Sequence, residues 1–136
     1  MTSRDYEDAG KLLLRLLVGG LLILHGVHKI INGPSEIDSL VASAGFPAFF
    51  GGAVYVGEVL APILVLVGYY TRVGGLLILI NLICAVLLTR GGHVWALGPS
   101  GGWVIQLEAF FGLGGLAVFL LGAGRFSVGG EYAKWN

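Results

Sequence analysis

The run Lys11-Leu12-Leu13-Leu14-Arg15-Leu16-Leu17-Val18-Gly19-Gly20-Leu21-Leu22-Ile23-Leu24-His25-Gly26-Val27-His28-Lys29-Ile30-Ile31 decides the fold. Its apolar residues do not alternate with polar ones, so it reads as a helix rather than a strand. At about 1.5 Å per residue it measures ~30 Å, the thickness of a bilayer's hydrocarbon core. A secretory signal would close on a small-residue cleavage site. Here His25, His28 and Lys29 stand in that place, so the segment is read as retained. Further apolar runs follow at Phe49–Gly68, Val73–Thr89 and Trp103–Ala123. In lipid a helix satisfies its own backbone. The expectation is an all-α integral membrane protein with four transmembrane helices in a compact bundle. The third run is the shortest and is expected to stand nearly upright.

Composition agrees. The 136 residues are 56% hydrophobic and 12% charged, and mean hydropathy is +0.87. So small a soluble domain needs far more polar surface, which excludes a water-soluble enzyme. Residues 1–136 are read as one membrane domain. Eight basic and eight acidic residues cancel, leaving no case for nucleic-acid binding. Cys84 is the only cysteine, so an internal disulfide, a CxxC pair and a thiolate zinc cage are all excluded.

Lys and Arg at the span ends set the orientation. Arg4, Lys11, Arg15, Arg72, Arg125 and Lys134 fall on one side, Lys29 and Arg90 on the other. Both termini, the Gly68–Arg72 turn and the tail 124–136 are expected in the cytoplasm. The connections 32–48 and 90–102 face outward. In the first, Ser35 and Asp38 resemble a capping box. Ile37, Leu40, Val41 and Ala44 repeat at helical spacing, which predicts an interfacial amphipathic helix at about 36–44. The second is glycine-rich, with Trp95 and Trp103 expected at headgroup level. Asp5, Glu7 and Asp8 read as a solvated tail.

Val18-Gly19-Gly20-Leu21-Leu22-Ile23-Leu24 recurs letter for letter at Val73–Leu79, which suggests two duplicated hairpins in the same orientation. Ala53, Gly57 and Ala61 form a small-residue stripe on the second span, and Gly112, Gly115 and Gly122 line one side of the fourth. Such stripes let helices approach closely in lipid.

Ionisable residues inside spans are expensive and mark functional sites by default. Arg15, His25 and Lys29 share one face of the first helix. Glu58 and Asn81 lie near the middle of the second and third spans, with Cys84 one turn beyond Asn81 as a small filler. Gln106 and Glu108 point to opposite faces of the fourth. The functional reading is a polar pocket opening toward the outer leaflet. It is built from His25, Lys29, Glu58 and Glu108 and floored by Arg15 or Asn81. Tyr55, Trp95 and Trp103 offer an aromatic wall. The competing reading is a set of internal ion pairs that fix helix register. Which carboxylate meets Lys29 stays open. No metal is expected: His25 and His28 diverge around the helix, and a carboxylate-bridged site would need His25 beside both Glu58 and Glu108.

Taken in order, these residues resemble the DoxX family of small bacterial and archaeal membrane proteins. The resemblance runs from about Leu12 to Ser127. It rests on Arg15, His25-Gly26-x-x-Lys29, Gly45-Phe46-Pro47, Gly57-Glu58, Gly68-x-x-Thr71-Arg72, Glu108 and Gly122-x-Gly124-Arg125-Phe126-Ser127. It implies a four-span bundle in the prokaryotic cytoplasmic membrane. The family takes its name from a subunit of a quinone-linked sulfur oxidoreductase. Related members are linked to oxidative and thiol stress or to quinone and catechol detoxification, and many have no known activity. The family is also distantly similar to surfeit-locus-4 cargo receptors, so a shared fold need not carry shared chemistry.

Two functions from different classes follow. One is a redox- or stress-associated subunit that binds a quinone or similar small amphiphile. The chain shows no redox centre of its own, so a partner protein would supply electrons. The other is a non-enzymatic scaffold, assembly factor or small permeation element, with the glycine faces serving a partner or a homo-oligomer.

Overall fold

A computed structural model describes residues 1–136. Helix α1 spans Ser3–Asn32, α2 Ser35–Ser43, α3 Phe50–Val67, α4 Thr71–Arg90 and α5 Gln106–Leu121. The chain forms no strand; Leu97 and Trp103 make one isolated bridge. Three helices are long and apolar enough to cross a membrane: Ser3–Asn32, Phe50–Val67 and Thr71–His93, where a 3-10 turn extends α4. The fourth, α5, is shorter, about 24 Å at 1.5 Å per residue.

The core draws on all four long helices: Val18 and Leu22 from α1, Ala61 and Val65 from α3, Ile78 and Leu82 from α4, Phe111 and Val118 from α5. Glycine sets the approach of α4 to α5. A Cβ on Gly75 would stand 2.5 Å from the Gly115 carbonyl oxygen, and one on Gly115 would stand 2.7 Å from that of Gly75. Leu13, Leu24, Ile31, Leu87, Phe110 and Leu120 are exposed around the outside, as lipid-facing residues are.

Several sequence expectations are corrected. The shortest long helix is the fourth, not the third. Val104 donates its N–H to the Ala96 carbonyl at 2.9 Å and Gly98 donates to Gly102 at 2.7 Å, so residues 96–104 fold back on themselves and α5 starts only at Gln106. Helix α1 begins at Ser3 rather than near Lys11. Thr2 caps it through a capping box with Asp5. The acidic segment is accordingly helical, with Asp8 buried and Asp5 half-buried, and only Glu7 is exposed as a solvated tail requires. On α2, Ser35 lies inside the helix and caps nothing, since Pro34 holds the N-cap position. Ile37 and Val41 of that helix are buried, whereas Leu40 and Ala44 stay exposed.

Arg15 ties the tail end of the bundle together. Its side chain is 1% exposed and meets no carboxylate. Nε donates to Val65 O at 2.8 Å, Nη2 to Leu66 O at 2.8 Å, and Nη1 to Ala123 O at 3.0 Å and Phe126 O at 2.7 Å. It thereby satisfies carbonyls in the last turn of α3 and in the segment after α5, where a cation also suits the helix dipole. Gly68, with φ 76°, ends α3; a side chain there would collide with the Arg15 guanidinium. Residues 124–136 then pack back across this end. Asn136 is buried, and its Oδ1 accepts from the Thr71 hydroxyl at 2.7 Å and the Thr71 N–H at 3.3 Å. The tail thus serves the otherwise uncapped N-terminus of α4.

Replacing Arg15 with Met is expected to strand four carbonyls in a buried site and destabilise the protein by about 3 kcal/mol or more. Arg15→Lys should be nearly as harmful, because one ammonium cannot serve two segments at once. Denaturation in detergent micelles measures this, and a Met variant as stable as wild type would refute the role.

Candidate functional site

Pro62 explains the most unusual backbone feature. It lacks an N–H and its ring crowds the carbonyl four residues earlier, which belongs to Glu58. The helix widens in the preceding turn: Val56–Leu60 is a π-helix, closed by the Ala61 N–H donating to Val56 O. Such single π turns inside α-helices are frequent at functional sites. This turn aims neighbouring residues at different helices. The Glu58 carbonyl faces Gly26 of α1 so closely that a Cβ there would collide with it. Gly57 faces Asn81 of α4 just as tightly.

Glu58 is buried, and its Oε1 accepts from Lys29 Nζ at 2.6 Å. The Lys29 side chain remains 35% exposed, so the pair joins the interior to the surface. Glu58 Oε2 is buried and has no hydrogen-bond partner; neither does Asn81 Nδ2. The π turn therefore carries one unspent acceptor on its own Glu58 and faces one unspent donor on Asn81.

Beside Gly57 and Asn81 lies a groove of about 370 Å³ between α2, α3 and α4. Its walls are almost wholly apolar, with Val41, Phe46, Phe50 and Leu77 among them. Asn81 and Cys84 are its polar side chains. The shape suits a lipophilic molecule with one hydrogen-bond acceptor.

The remaining residues singled out in the sequence go elsewhere. Arg15 is at the tail end, spent on carbonyls. Glu108 pairs with Arg90 at 3.9 Å and not with Lys29. His25 is exposed; its Nδ1 lies 3.2 Å from Leu21 O, and its ring stands edge-on to Phe111 at 5.9 Å. No three His, Cys, Asp or Glu side chains converge as a metal would need. Trp95 and Trp103 stack at 6.0 Å and 14° in the loop between α4 and α5, and the Trp103 indole N–H donates to Val94 O. Neither they nor the half-buried Tyr55 line the groove; its aromatic side chains are Phe46 and Phe50. In the sequence Phe46 stands out only within Gly45-Phe46-Pro47, the turn where the chain doubles back to start α3, and Phe50 carries no signal.

The sequence pattern of the DoxX family matches residues 10–91. The Mycobacterium tuberculosis "Uncharacterized membrane protein Rv3486" is 32% identical over 139 residues, covering 89% of this chain and 80% of its own length. The Bacillus subtilis "Putative oxidoreductase CatD" is 30% identical over 83 residues, 61% of each chain. No solved structure matches this chain.

Two outcomes test the geometry. Gly26→Ala should force α1 away from α3 and lower the unfolding temperature. Gly52→Ala, with no heavy atom within 4 Å of the added methyl, should leave it unchanged. In a double-mutant cycle, Lys29→Met and Glu58→Gln should couple by about 1–3 kcal/mol. Additive effects would show that the ion pair contributes nothing.

Proposed function

The chain belongs to the DoxX family of membrane proteins, and we propose that it is a redox- or stress-associated subunit of the bacterial cytoplasmic membrane that holds a quinone or similar amphiphile. In this reading α5 is the fourth span and both termini are cytoplasmic. The observation that carries the proposal is the half-satisfied polarity around the π turn: Glu58 Oε2 and Asn81 Nδ2 are buried without partners, and Asn81 lines an apolar groove. Unspent polar atoms in a low-dielectric interior are costly, and a ligand that completes them recovers that loss.

The chain's own groups divide the work. Phe46 and Phe50 offer flat apolar surface to a ring. Asn81 Nδ2 donates to a carbonyl oxygen of the ligand. Glu58, held by Lys29, has one free carboxylate oxygen on which a proton can be carried during a redox cycle. Lys29, partly exposed, links that carboxylate to the outside. Electrons come from a partner protein. The name of the Bacillus subtilis relative supports the redox association.

A second reading has its own support. Both intramembrane carboxylates already have cations, Glu58 with Lys29 and Glu108 with Arg90, as expected of a scaffold whose charges fix register. Exchanging Glu58 and Lys29 together for apolar residues separates the two: a stable, active variant favours the scaffold, and a stable, inactive one favours the ligand site.

The direct test is photolabelling in nanodiscs with an azido-quinone. Adducts are expected on groove residues of α2, α3 and α4, with labelling of an Asn81→Leu variant reduced about tenfold, the loss of one buried hydrogen bond. Adducts scattered evenly over the lipid-facing sides of α1 and α5 would overturn the site.

A further inference from the structure

At the tail end of the bundle, on the side of both termini, lies a second and chemically opposite cavity. It has a volume of about 230 Å³ and is mostly polar. Arg4, Lys11 and Arg72 bring positive charge to its walls, and Glu7, Asp8 and Glu131 bring negative charge. The signs balance, so the cleft is not built for a simple anion.

Its hydrogen-bonding capacity is only partly used. Arg4 is engaged by Glu131 and by the Tyr132 hydroxyl. Arg72 donates from Nε to Asn136 O at 3.1 Å and from Nη1 to the Phe119 and Leu120 carbonyls, while Nη2 donates to no protein acceptor. Lys11 Nζ lies 3.8 Å from Asp8 Oδ1, within ion-pair range but beyond a hydrogen bond. Asp8 is 2% exposed, yet its Oδ2 accepts no hydrogen bond; its nearest cation is Arg125 Nε at 3.4 Å. Gly124, at φ 71°, keeps this floor open: a Cβ there would stand 2.9 Å from Asp8 Oδ1. Lys11, Arg72 and Asp8, each with hydrogen-bonding capacity left over, thus line one small cleft, and the Asp8 Oδ1 already accepts from the Arg125 N–H at 3.4 Å.

We infer that the cleft binds a phosphate ester bearing a primary amine, the headgroup of phosphatidylethanolamine. The phosphate accepts from Arg72 Nη2 and Lys11 Nζ, and the ammonium donates to Asp8 Oδ2. A lipid is favoured over a soluble zwitterion because the exposed Leu121 borders the cleft and the exposed Phe126, Tyr132 and Trp135 lie in the tail that closes it. Aromatic residues of this kind sit at headgroup level, and charged pockets at helix ends bind lipid headgroups.

Native mass spectrometry of the detergent-purified protein tests this with four probes: phosphatidylethanolamine, phosphatidylcholine, phosphatidylglycerol and free phosphoethanolamine. The expected result is retention of phosphatidylethanolamine about tenfold above phosphatidylcholine, whose quaternary amine cannot donate to Asp8. Equal retention of the two by the wild-type protein would overturn the site without need of any variant. Asp8→Asn is expected to abolish the preference, and the wild-type protein is expected to retain phosphatidylglycerol, which carries no amine, no better than phosphatidylcholine. An unaltered preference in a folded variant would also overturn it. Capture of free phosphoethanolamine without the lipid would overturn the lipid assignment.

Discussion

A guanidinium in a membrane bundle must find acceptors for its donors, and hydrocarbon supplies none. Arg15 finds four, all backbone carbonyls. Two belong to the last turn of α3 and two to the chain leaving α5, so one side chain fixes where both helices stop. Gly68 must be glycine both for its φ and for its nearness to this group. The tail follows, because Ala123 and Phe126 are held in place and residues up to Asn136 then fold over the start of α4. Charge neutralisation plays no part; carbonyl dipoles alone solvate the cation.

The two hairpins use the same devices. Arg15 of α1 serves the Val65 and Leu66 carbonyls near the end of α3; Arg72 of α4 serves those of Phe119 and Leu120 at the matching place in α5. Each second helix then ends at a glycine with φ 76°, Gly68 or Gly122. Towards the other end, each first helix finishes with a cation that pairs with a glutamate of the second: Lys29 with Glu58, Arg90 with Glu108. The hairpins differ where Pro62 opens a π turn in α3, for which α5 has no counterpart. Glu58 is consequently buried, whereas Glu108 stays half-exposed.

Hydropathy made the bundle legible because four long apolar runs admit no other solution in this composition. The positions of Lys29 and Glu58 were legible for the same reason, though not their pairing, since helical spacing gives depth and face but not the neighbour across the interface. Other features carried signals that hydropathy ignores. Thr2-x-x-Asp5 announces the true start of α1. Pro62, four residues after Glu58, announces a disturbed helix. The late start of α5 was hidden, because Trp103 and Val104 look like helix residues until they pair with the loop before them. The tail was the least visible: it depends on carbonyls and an asparagine meeting a helix end distant in sequence, which no local pattern encodes.

Buried charge alone does not separate structure from function here; unspent hydrogen-bonding capacity does. Every nitrogen of Arg15 is engaged, so nothing remains for a ligand. Asp8 keeps Oδ2, Glu58 keeps Oε2 and Asn81 keeps Nδ2. In water such atoms would be satisfied at no cost, but within a bundle each one left over weakens the fold. Their distribution is uneven: Asn81 lines the groove beside the π turn, Glu58 stands on that turn and Asp8 lines the cleft at the tail end, while the core between Val18 and Val118 is wholly apolar. A sequence selected only for stability would replace Asn81 with leucine and Glu58–Lys29 with a packed apolar pair, since buried ion pairs rarely outperform hydrophobic contacts. Their presence beside cavities is the physical ground for placing ligands there.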